Sequence, residues 1–138
     1  MYSSNFIISD EIQKALKNNQ PVVALESTLI SHGLPYPKNL EVAKASIDAV
    51  RLSGSVPATI AIIKGKVKIG LDENDMDILS INQNIEKVSR HNLAISISNE
   101  SNAATTVASS IYLASMAGIK FFATGGIGGV HLGSEKNN

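Results

Sequence analysis

The chain has 138 residues, 43% hydrophobic and 17% charged, with 12 Lys+Arg against 12 Asp+Glu and no cysteine. This is one domain's worth of chain; zero formal charge without a basic stripe argues against nucleic-acid binding, and the lack of cysteine excludes disulfides, thiolate zinc sites and cysteine nucleophiles. No apolar run reaches the roughly 18 residues of a membrane span and the start lacks the features of a secretory signal, so a cytoplasmic protein is expected, with no membrane partner.

"SDEIQKALKNN" predicts a short helix, with Ser9 as N-cap, Asp10 and Glu11 at the positive end of the dipole, and Ile12, Ala15 and Leu16 on one face. "PVVALEST" has the continuous apolar run of a strand covered on both faces. "ISHGLPYPKN" reads as a loop punctuated by Gly33, Pro35 and Pro37. "NLEVAKASIDAVRLSG" predicts a helix capped by Asn39 and stopped by Gly54, with Leu40, Ala43, Ile47 and Val50 repeating every three or four residues. "VPATIAIIKGKVKIG" predicts two strands around Lys64-Gly65, and its lysines, Lys64, Lys66 and Lys68, read as a solvated hairpin edge. "LDENDMDILS" predicts a short helix with an acidic cap, and "LAISISN" a further strand. "NAATTVASSIYLASMAG" predicts a helix from Asn102 to Gly118, followed by the apolar strand "IKFFAT". Strand–helix alternation of this kind gives an α/β domain whose mostly parallel sheet is flanked by helices. The chain ends soon after a core-like strand, so the sheet is expected to be incomplete.

Five of the ten glycines lie between Gly125 and Gly133, in "TGGIGGVHLG". This is neither of the common phosphate loops. His131 stands where a dinucleotide fingerprint needs its third glycine, and Ser134 and Glu135 stand where a P-loop needs Lys and a hydroxyl residue. A tight turn needing positive φ is the plain alternative. Glu26 ends a buried strand, where a desolvated carboxylate suits proton transfer, although pairing with a lysine fits equally. His32 follows in the next loop. Lys87, Arg90 and His91 precede a strand and form either a phosphate grip or a solvated cluster. Thr105 and Thr106 fall in the first turn of a helix, as an anion site or as ordinary caps. HExxH and GxSxG are both absent. Gathered at the carboxyl edge of the sheet, Glu26, Lys87, the Thr105/Thr106 helix start and the glycine loop suit a small phosphorylated substrate. These residues leave the reaction open.

The strings "VALESTLISHGLPYPKNLEVA", "VPATIAIIKGKVKIGL", "KVSRHNLA" and "NAATTVASSIYLASMAGIKFFATGGIGGVH" together resemble the pseudouridine-5′-phosphate glycosidases, from about Pro21 to Glu135. The resemblance implies an α/β/α fold, a homotrimer, and a divalent metal, typically Mn²⁺. It implies reversible cleavage of pseudouridine 5′-phosphate to uracil and ribose 5-phosphate. The bond is carbon–carbon, so protonating a leaving heteroatom does not loosen it. The family opens the ribose and joins its C1 to a lysine as a Schiff base, an electron sink for the scission. By matching strings, the proton-transferring glutamate falls on Glu26 and the substrate-binding lysine on Lys87. Substrate contacts fall on Thr106 and Val107, and Thr124 and His131 resemble further pocket residues.

The departures are as informative. The family runs to roughly twice this length, beyond a one-domain prior. Its metal-binding "DISADL"-like stretch and Schiff-base lysine follow the glycine loop, and no residue here receives either role. Leu132 stands where the family has arginine. The expectation is therefore the N-terminal part of a single glycosidase domain, without a metal ligand of its own and inactive alone. The alternative is a non-catalytic remnant that binds a sugar phosphate or a partner subunit.

Overall fold

The computed structural model describes residues 5–128. In chain order the elements are β1 (Phe6–Ile8), α1 (Asp10–Lys17), β2 (Val22–Leu25), α2 (Thr28–His32), α3 (Lys38–Leu52), β3 (Val56–Ile63) and β4 (Lys66–Ile69). There follow α4 (Glu73–Ile81), β5 (Glu86–Val88), α5 (Leu93–Ser98), β6 (Ala103–Thr105), α6 (Val107–Met116) and β7 (Phe121–Ala123).

β3 is the spine of the sheet, and every residue after Val56 in it is buried. The strand order is β1-β4-β3-β2-β7, with β6 and then β5 branching from β3. Pairings β1–β4, β2–β3, β2–β7 and β5–β6 are parallel, and β3–β4 and β3–β6 antiparallel. Side chains of β3 alternate between two cores. Ala58, Ile60 and Ile62 pack with Ile12 of α1, Leu93 of α5 and Leu113 of α6. Ala61 and Ile63 pack with Ile30 of α2, Ala43 of α3, and Met76 and Leu79 of α4. Helices thus cover both faces, and the expected α/β architecture with a mostly parallel sheet is borne out.

Local chemistry explains the boundaries that held. Asp72 caps α4 by accepting from the Asp75 amide at 2.8 Å, while Asp75 reaches back to the Asp72 amide at 3.3 Å, a reciprocal capping box. The β3–β4 hairpin turns through Lys64 at φ 49° and Gly65 at φ 69°, the left-handed pair that a two-residue hairpin favours. A Cβ on Gly65 would also lie 2.6 Å from the Ile97 carbonyl oxygen.

Five expectations change. "LAISISN" forms helix α5 and not a strand. Leu93, Ile95 and Ile97 mimic strand alternation, but Leu93 and Ser96 are buried with Ile97 beside them, while Ile95 is 62% exposed. The helix placed from Asn102 begins instead at Val107, because Ala103–Thr105 enter the sheet between β3 and β5. Small residues fit this central slot, and ladder hydrogen bonds outweigh helix propensity there. Asn39 lies inside α3. It is not the cap: its buried side-chain amide donates to the Ile30 carbonyl at 2.6 Å and the Ser80 carbonyl at 2.9 Å, bracketing α2 to α4. The start of the expected loop, Ile30 to His32, is helical, as the end of α2, which begins at Thr28. Lys68 is not a solvated hairpin lysine, for its ammonium meets the buried Asp75 carboxylate at 2.6 Å.

The buried hydroxyls of Ser27, Thr105 and Ser110 join β2, β6 and α6. The Ser27 hydroxyl accepts from the Thr105 amide at 2.9 Å, and the Ser27 amide donates to the Thr105 carbonyl at 3.3 Å. The Thr105 hydroxyl donates to the Ile60 carbonyl at 2.6 Å and accepts from Ser110 at 2.9 Å. Near the surface, Glu86 accepts hydroxyl hydrogen bonds from Ser96 at 2.5 Å and Ser101 at 2.9 Å. These bonds favour its charged form and hold its carboxyl below the usual value of 4.5.

Thr105→Val keeps the shape but removes the central hydroxyl, and is expected to lower stability by about 1–3 kcal/mol. The urea midpoint should fall with an unchanged m-value; an unchanged midpoint would contradict the assignment. For Glu86, the folded carboxyl titrates lower than the unfolded one, so its stabilisation is complete above 4.5 and fades as pH falls through the folded value. Melting temperatures of wild type and Glu86→Gln should therefore converge on acidification through that range. Parallel curves would refute the linkage.

Candidate active site

Two strand ends and one antiparallel strand build the candidate site. β2 and β7 run parallel with Leu25 opposite Ala123, so the next residues, Glu26 and Thr124, emerge side by side. β6 runs antiparallel to β3, along the same edge as β2 but beyond its end. The carboxyl ends of β2 and β6 therefore meet head to head, at the Ser27–Thr105 contact. β5 lies beside β6 with Lys87 opposite Ala104, which brings Lys87 toward the same place.

Glu26, Thr28, His32, Lys87, Thr124, Gly125 and Gly126 line one cleft of ≈ 750 Å³. Its far wall is the small-residue face of α3, including Ala43, Ser46 and Ala49. Glu26 is half-buried, not dry as a fully covered strand end would be. One carboxylate oxygen accepts from the Thr28 hydroxyl and the other from the Thr124 hydroxyl at 2.5 Å. Lys87 is exposed, and no ion pair engages its ammonium among the described residues. The cleft thus combines a positioned carboxylate, an uncommitted cation and bare glycine backbone. That set can hold an anionic oxygen-rich molecule and move a proton beside it.

Other expectations sort differently. Thr106 occupies the N-cap position of α6 without a side-chain cap bond and Val107 begins the helix; both are half-buried, and neither lines this cleft. Thr105 belongs to β6 and is fully buried, so its hydroxyl is structural. Arg90 stacks on the Tyr112 ring at 4.8 Å, and neither it nor His91 reaches the cleft. The grip of Lys87, Arg90 and His91 on one phosphate is therefore not formed. His131 and Leu132 lie outside the described residues. Thr28 escaped sequence reasoning, although a hydroxyl two residues after a candidate glutamate was the available signal. A second cleft of ≈ 500 Å³ holds charges that are already neutralised, Lys68 by Asp75 and Arg51 by Glu11 at 2.5 Å.

Among the described residues no cluster of three or more His, Asp or Glu side chains suits a metal ion. The described residues of the cleft therefore do not by themselves make a Mn²⁺ site. Among the described residues no helix is long and apolar enough to cross a membrane.

Known proteins share this sequence and this fold. The pseudouridine-5′-phosphate glycosidase of Staphylococcus aureus (strain MW2) is 56% identical over 127 residues, covering 92% of this chain and 41% of that protein. The protein of the same name from Escherichia coli (strain K12) is 54% identical over 129 residues, covering 93% of this chain and 41% of that one. The chain thus spans about two fifths of the length of these curated relatives. The crystal structure of a prealnumycin C-glycosynthase in complex with ribulose 5-phosphate superposes with a TM-score of 0.85 at 38% identity, over 99% of this chain and 44% of that one. An indigoidine synthase A-like protein from Thermotoga maritima superposes with a TM-score of 0.82 at 34% identity, over 96% of this chain and 44% of that one. A family model described as indigoidine synthase A like protein matches residues 11–138, so the chain belongs to that family and corresponds to part of the proteins named pseudouridine-5′-phosphate glycosidase.

Proposed function

We propose that this chain supplies the proton-transfer carboxylate and the phosphate-binding cation of a site that reversibly cleaves pseudouridine 5′-phosphate to uracil and ribose 5-phosphate. The observation that carries this reading is the convergence of Glu26, Lys87 and Thr124 on one cleft. The names of the relatives and the sugar phosphate in the related C-glycosynthase structure support it.

Each residue has a physical task. The Lys87 ammonium is exposed and unpaired among the described residues, so it offers a charge-assisted hydrogen bond to a phosphate without first breaking another. Glu26 is held by hydroxyls and not by a cation, so its carboxylate stays available to exchange a proton with the base or the sugar. Gly125 and Gly126 let the backbone face the ligand without side chains between. Cleaving a carbon–carbon bond also needs an electron sink. Lys87 is the only lysine among the described residues lining the cleft, and the phosphate task occupies it. We therefore assign binding and proton transfer to this chain and no Schiff base. Assembly as a homotrimer belongs to the same proposal.

The second reading, binding of a sugar phosphate without turnover, is favoured by the absence of a second cleft lysine among the described residues. The two readings make a joint prediction for the isolated chain. Ribose 5-phosphate should bind in a calorimetric titration, and Lys87→Met should weaken it by roughly 10–150-fold, the worth of a hydrogen bond to a charged group. Glu26→Gln should leave binding unchanged. With pseudouridine 5′-phosphate and Mn²⁺ the chain should release no uracil. Robust uracil release would overturn the assignment of roles; no heat up to millimolar ligand would overturn the site itself.

A further inference from the structure

Thr124 stands at a fork. Its hydroxyl oxygen lies 2.5 Å from Glu26 Oε1, 3.2 Å from the Gly126 carbonyl oxygen and 3.4 Å from the Gly126 amide nitrogen. A hydroxyl has one hydrogen and two acceptor lone pairs. It can donate to Glu26 or to the Gly126 carbonyl, but not to both at once. Thr28 donates to the other oxygen, Oε2, and its hydroxyl has no second acceptor among the described residues, whereas Thr124 has one in the Gly126 carbonyl.

We propose that Thr124 is a positioning residue that couples the charge state of Glu26 to the conformation of the glycine turn. With Glu26 ionised, the Thr124 hydroxyl donates to Oε1 and accepts from the Gly126 amide. When a proton arrives on Oε1, that oxygen becomes the donor and Thr124 accepts from it. The threonine hydrogen then swings to the Gly126 carbonyl. One proton is gained on Oε1, one hydroxyl rotates, and no donor is stranded in either state. The turn is free to respond. Gly125 and Gly126 are exposed, and a Cβ added to either would meet nothing within 4 Å. Gly128 takes φ 74°, a left-handed backbone that glycine accepts without strain. The other titratable groups facing the cleft are His32 at the end of α2 and Lys87 on β5, and no ion pair joins either to Glu26 among the described residues. This inference rests on cleft geometry and holds whatever the substrate.

The test is a pH titration of the isotopically labelled 138-residue chain by NMR. The Glu26 carboxyl carbon and the Gly125 and Gly126 amides are followed together. The Gly126 amide should shift with the same midpoint as the Glu26 carboxyl. That component should vanish in Glu26→Gln and in Thr124→Val, persist in Thr124→Ser, and survive His32→Asn, which removes the competing titration. If Thr124→Val does not fold, the wild-type, Glu26→Gln and Thr124→Ser titrations decide. A Gly126 amide indifferent to Glu26 in the wild type, or a dependence unchanged in Thr124→Val, would overturn the proposal. Neither result bears on whether the cleft binds a sugar phosphate, which is measured separately.

Discussion

The site depends on the head-to-head meeting of β2 and β6 along one edge of β3. Most open parallel sheets place a functional residue at each of several neighbouring carboxyl ends that point the same way. Here one strand is reversed, and two carboxyl ends confront each other instead. Ser27 and Thr105 close that junction through three backbone groups and their hydroxyls, with Ser110 and the Ile60 carbonyl completing the set. Buried polar groups are costly unless each finds a partner, so the junction tolerates little adjustment. Glu26 is the residue immediately before it. Its position is therefore set by the core and not by a loose connection.

From that fixed point the other parts follow. The register of β7 on β2 brings Thr124 beside Glu26, and the register of β5 on β6 brings Lys87 across from them. The two charged groups come from strands 61 positions apart in sequence, yet no ion pair joins them among the described residues. An anionic ligand between them would satisfy the lysine and leave the carboxylate to its hydroxyls. α3 closes the far side with small residues, which leaves width for a sugar.

Much of this was legible in the sequence, and the misses have physical causes. The apolar run of β3, the alternation of β4 and the acidic cap of α4 are local signals, and each produced its element. The alternation of Leu93, Ile95 and Ile97 mimics a strand, and the helical face of α5 is selected by tertiary packing, with Leu93 and Ile97 on the core and Ser96 buried against Glu86. β6 was hidden inside a helix-forming run, because three small residues reveal a central strand only through the slot they fill. Glu26 and Lys87 stand out by residue type and position, and the resemblance gives them their expected roles, whereas Thr28 and the Ser27–Thr105 junction leave no such signal. Hydroxyl networks leave no periodicity, since their members come from separate elements. Arg90 shows the converse failure, where a charge near a candidate site in sequence is turned away by an aromatic ring.

This junction places Glu26, Lys87 and the glycine turn around one cleft, which we propose takes a sugar phosphate. An NMR map of ribose 5-phosphate added to the labelled chain tests it most directly. Amide shifts should concentrate at residues 26–28, 86–88 and 124–126 and saturate together. Shifts centred instead on the Arg51–Lys68 cleft, or spread evenly over surface cations, would contradict it.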